Sequence, residues 1–91
     1  MRGTGITTKQ MKEAPQDAVY IWANSDLHYP KRLAHELGRD DLKIERPSCL
    51  EDERFFRGWH PSAVVLDHAM ELNGKRQRGI DELVYSNVAI I

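Results

Sequence analysis

Apolar residues in this chain fall in short runs separated by turn formers, and the runs alternate between strand-like and helix-like spacing. AVYIW at 18–22 follows Pro15 and is rich in β-branched and aromatic residues, which predicts a strand buried on both faces. NSDLHY then reads as a turn. Pro30 suits a first helical position, Leu33 and Leu37 share one helical face, and Gly38 can take the left-handed conformation that ends a helix, so a helix is predicted over 30–37. In DLKIE, Leu42 and Ile44 alternate with polar neighbours and Pro47 ends the run, predicting a second strand close to a sheet edge.

Ser48 with Glu51 three residues later has the form of a capping box, which predicts a short helix or turn in SCLEDERFF. SAVVLD at 62–67 holds a continuous apolar run ending in an acid and predicts the strand at mid-sheet. AMEL reads as a short helix, NGKRQRG as a polar break, IDELVY as a helix with Ile80, Leu83 and Val84 on one face, and NVAII as a closing strand. Strands alternating with helices predict an α/β fold with a mainly parallel sheet, because parallel strands need crossover connections to return the chain. Internal repeats and low-complexity tracts are absent from the sequence.

Length bounds this architecture: 91 residues give one small domain over 1–91 with a modest core. The hydrophobic share of 41% and charged share of 30% are those of a folding chain. A formal net charge of −1 gives no general attraction for polyanions, so nucleic-acid binding would depend on a local patch. Lys75, Arg76 and Arg78 form that patch, and Trp22 or Trp59 could supply a stacking surface. The single cysteine, Cys49, cannot form an intramolecular disulfide, which points to a reducing compartment. No run approaches the roughly 18 apolar residues needed to span a bilayer, and the N-terminus lacks the apolar centre of a signal peptide. No membrane association and a cytoplasmic location are therefore expected.

GTGITT near the N-terminus has the glycines that let consecutive N–H groups curl around an anion, with paired threonines and a helix-forming KQMKEA behind them. Read with VVLDHA further on, the chain resembles the P-loop NTPases, in particular the ATPase cores of phage terminases and helicases. The resemblance spans most of the first 70 residues in order. It implies a small P-loop-NTPase-like, Rossmann-like α/β sheet with flanking helices. By the same resemblance Gly5 is the second loop glycine, Thr7 the magnesium-holding hydroxyl and Asp67 the magnesium-orienting acid; Gly3, Gly5, Thr7 and Thr8 would face phosphate.

The departures are as specific as the matches. Ile6 stands where the family's lysine reaches the β- and γ-phosphates, and His68 stands where its catalytic glutamate activates water. The first loop glycine and the strand feeding the loop would precede Met1. Phosphoryl transfer depends on electrostatic positioning, so loss of the lysine removes the main catalytic cation.

The expectation is a non-catalytic, degenerate P-loop-like binding module, phage-encoded and acting on a protein partner, with no cofactor. Phe55, Phe56, Arg57 and Trp59, where aromatics and arginine gather, are the expected partner-binding residues. One alternative is a nucleotide-binding protein or weak NTPase using magnesium and ATP, with a cation supplied in trans by a homo-oligomer; another is nucleic-acid binding through Lys75, Arg76 and Arg78. A homo-oligomer could also supply the missing first strand by pairing at a sheet edge. His28, His35, His60 and His68 lack the tight spacing of metal-ligand pairs.

Overall fold

The computed structural model describes residues 5–52, 54–57 and 61–91. Four short strands form one all-parallel sheet: β1 (Val19–Ile21), β2 (Lys43–Glu45), β3 (Ala63–Leu66) and β4 (Ala89–Ile90), in the order β2-β1-β3-β4. Tyr20 lies level with Ile44 on one side and Val65 on the other, and Val64 lies level with Ile90. β1 and β3 are central, as their unbroken apolar runs predict, and β2 with its exposed Lys43 is an edge.

The pleat sends alternate side chains to two cores. Tyr20, Ile44, Ala63 and Val65 face α1 (Ile6–Glu13) and α2 (His28–Glu36), which contribute Met11 and Ala34. Val19, Ile21 and Val64 face α3 (Gly74–Tyr85) and a 3₁₀ helix at Pro47–Glu51, which contribute Ile80, Leu83, Cys49 and Leu50. The result is a three-layer α/β/α domain. Among the described residues no helix is long and apolar enough to cross a membrane.

Several boundaries differ from the sequence expectation. The second helix starts at His28, so Pro30 is its third residue, still within the first turn, where a missing N–H breaks no helical bond. Gly38, at φ +73°, ends it as expected, with the Arg39 N–H returning to the Ala34 carbonyl at 2.8 Å. The Ser48 capping box does not form; Pro47 opens the 3₁₀ helix, whose N-cap is Arg46 with no side-chain cap. AMEL is not helical.

The largest correction is at NGKRQRG, which is the start of α3 and not a break. Asn73 caps it, its Oδ1 accepting the Arg76 N–H at 2.9 Å. Gly79, which reads in sequence as a breaker, is in the helix because a β-carbon there would collide with the Leu50 carbonyl oxygen. The glycine lets α3 close onto the 3₁₀ helix.

Candidate functional site at the carboxyl end of the sheet

The connections leaving β1 and β3 run in opposite directions across the sheet, so the strand order reverses between these two neighbours. In open parallel sheets ligands bind in the crevice outside the strand ends at such a reversal. Asp67 sits there, directly after β3, with its backbone N–H donating to the Ile21 carbonyl at 3.0 Å.

Thr7, in the first turn of α1, donates its hydroxyl to Asp67 Oδ1 at 3.0 Å, and the Tyr20 hydroxyl donates to the same oxygen at 2.6 Å. Asp67 Oδ2 accepts the Ala69 N–H at 3.0 Å. The Asp67 side chain is fully buried, while that of His68 is 41% exposed with Nδ1 3.7 Å from Asp67 Oδ2. Burial first, then the hydrogen bond and charge of Asp67, push the Tyr20 hydroxyl far above its ordinary pKa, so it remains a donor at any working pH.

Gln10 completes the cluster. Its Nε2 donates to the Leu66 carbonyl at 2.9 Å and its Oε1 accepts the His68 N–H at 2.9 Å, so one side-chain amide pairs with the backbone on both sides of Asp67. Gln10 and Tyr20 were not legible as site residues. Neither belongs to a recognisable pattern, and both act on residues distant in sequence.

Of the residues assigned to phosphate, Gly5 takes φ +73° immediately before α1, Thr7 is bonded to Asp67, and Thr8 is half-buried beside it. Gly3 lies outside the described residues. Ile6 is 42% exposed at the helix start. Both Asp67 carboxylate oxygens are engaged by protein donors and neither is exposed, so a magnesium ion would reach them only if those contacts rearranged. Among the described residues no three His, Cys, Asp or Glu side chains converge on a common point.

Phe55, Phe56 and the α3 cations lie on the opposite layer. Phe55 and Phe56 are half-buried against the second core with ring centroids 4.7 Å apart, edge to face, and Arg57 is exposed next to them. Trp59 lies outside the described residues. Arg76 is taken up by Glu51 Oε2 at 2.9 Å and the Glu71 carbonyl at 2.7 Å, whereas Lys75 and Arg78 are exposed. Trp22 is half-buried and packs on Tyr29 with centroids 5.7 Å apart. Compared with known proteins, the chain matches no family description, no curated protein sequence and no solved structure.

Proposed function

We propose that this chain is a non-catalytic, P-loop-like binding module that acts through contact with a protein partner. The observation that supports the reading is the state of Asp67. The acid that the family resemblance assigns to magnesium is fully buried and bonded to Thr7, Tyr20 and the Ala69 N–H. Used in this way it is a structural tie between α1 and the sheet. Ile6 in place of the lysine and His68 in place of the glutamate support the same conclusion. Partner contact is assigned to the turn carrying Phe55, Phe56 and Arg57, with Trp59 of the same stretch of sequence.

A nucleotide-binding role is the second reading, favoured by the left-handed Gly5 before α1 and the Thr7–Asp67 contact. Thermal unfolding with magnesium and millimolar ATP, GTP or ADP separates the two. A ligand at about 100 times its Kd stabilises a fold by roughly 2.7 kcal/mol. The binding-module reading expects no shift. A shift that disappears in Thr7→Ala, measured against that variant's own unliganded midpoint, overturns it in favour of the nucleotide site. The partner assignment is tested by Arg57→Glu, which leaves the packed phenylalanines in place and should abolish capture of any partner held by the wild type.

A further inference from the structure

Away from the Asp67 cluster, a cleft of about 340 Å³ opens between α3 and a wall made by residues 49–52 and Phe56. Its size falls within the roughly 300–1,000 Å³ of small-molecule sites. One wall is a stripe of α3, with Lys75, Arg78, Gly79, Glu82 and Leu83 at helical three-and-four spacing. The facing wall brings Leu50 and the ring of Phe56. The lining mixes the apolar Leu50, Leu83 and half-buried Phe56 with the charged Lys75, Arg78, Glu51, Asp52 and Glu82.

The charges are unequally committed. Arg76, which lies between the two cationic lining residues in sequence, is paired with Glu51, and that contact, with burial opposing it, holds the Glu51 carboxyl below its usual range. Asp52 accepts the Arg54 N–H at 2.9 Å. Lys75 and Arg78 form no ion pair within 4.0 Å among the described residues, although the charge of Lys75 also helps to lower Glu51 and Glu82 lies one turn beyond Arg78. Both cations lie in the N-terminal half of α3, where the positive pole of the helix has the same sign.

We propose that this cleft binds a small amphipathic organic anion, with its carboxylate, sulfonate or phosphate on Lys75 and Arg78 and its apolar body between Phe56 and Leu83. The site is separate from the Asp67 cluster and does not depend on the P-loop-like reading.

Phenyl phosphate, benzyl alcohol and inorganic phosphate are suitable probes for calorimetric titration and amide chemical-shift mapping of the full chain. Phenyl phosphate should bind saturably and shift the Leu50, Gly79 and Leu83 amides, and each of the other two should bind at least roughly tenfold more weakly. Lys75→Gln with Arg78→Gln, both exposed changes, should weaken phenyl phosphate by roughly tenfold at an unchanged urea midpoint. Lys12→Gln, on an exposed part of α1, should leave binding as it was. Absence of saturable binding, equal affinity in the double variant, or equal affinity for inorganic phosphate would overturn the proposal. Shifts confined to Thr7 and Thr8 would also overturn it and would support the nucleotide reading.

Discussion

The Tyr20 hydroxyl donates to Asp67 Oδ1 over 2.6 Å, joining the centre of β1 to the residue that follows β3. Both side chains are buried, and Thr7 donates to the same oxygen. Such a cluster is stable only while each member has its partners, because an unpaired buried polar group is costly.

Asp67→Ala should therefore destabilise the domain by roughly 2–4 kcal/mol, since it strands the Tyr20 hydroxyl in the core. Tyr20→Phe removes a donor and leaves the carboxylate with Thr7 and Ala69, so its cost should be smaller, about 1 kcal/mol. Urea unfolding of the two variants gives the ordering. Equal costs would show that the carboxylate's remaining contacts contribute little.

Arg39 holds the far end of α1. Its Nη1 donates to the Met11 carbonyl at 2.6 Å and the Lys12 carbonyl at 3.2 Å, and its Nη2 to the Pro15 carbonyl at 3.2 Å, while Asp41 receives both Nε and Nη2. Lysine cannot reproduce this planar fork. Arg39→Lys should cost about 1 kcal/mol and Arg39→Ala about 2 kcal/mol, read from denaturant midpoints.

The same contact sets a pH dependence. The Arg39 hydrogen bond, followed by the Asp17 N–H, holds the Asp41 carboxyl well below its ordinary range. A depressed folded-state pKa contributes stability that is complete above the unfolded value of about 3.9 and is lost as pH falls toward the folded one. Stability should fall on acidification below about pH 4, and Asp41→Asn should flatten that fall. An unchanged slope in the variant would remove Asp41 as its source.

Gly79→Ala should destabilise by roughly 1–3 kcal/mol, because the added methyl meets the Leu50 carbonyl and α3 must move outward. Gly74→Ala, in the first turn of the same helix with open space around it, should be neutral or stabilising by a few tenths of a kcal/mol. Thermal midpoints of the pair test whether close approach, and not helix propensity, accounts for the glycine at position 79.

Cys49 lies within the 3₁₀ helix, 7% exposed, and burial pushes its thiol up to about 12. At pH 8 it should alkylate at least roughly tenfold more slowly than a free thiol and recover the ordinary rate in denaturing urea. Mass spectrometry of iodoacetamide time courses reads both rates.

Legibility followed the range of the forces involved. Pro15, Gly38 and Pro47 act on their immediate neighbours, so the strands at Val19–Ile21 and Lys43–Glu45 and the end of α2 could be placed from local pattern. The continuous run at Ala63–Leu66 likewise announced a central strand. The N-terminal half of α3 was hidden because Gly79 answers to Leu50, a residue of another element. In the candidate site Thr7 and Asp67 stood out only through the resemblance read in the sequence, whereas Gln10 and Tyr20, like Arg39 at the far end of α1, have roles defined by partners 24 to 58 positions away.

At eight residues α1 is shorter than the roughly 12–15 that an isolated helix needs to persist in water. Its first turns are fastened to the strand end by Thr7 and Gln10, and its last by the guanidinium of Arg39. The helix is consequently a tenant of the sheet: it exists while both fastenings hold and has no independent capacity to reform once they are released. Amide exchange at Met11 should then keep time with exchange at His68, two sites on different elements opening as one unit.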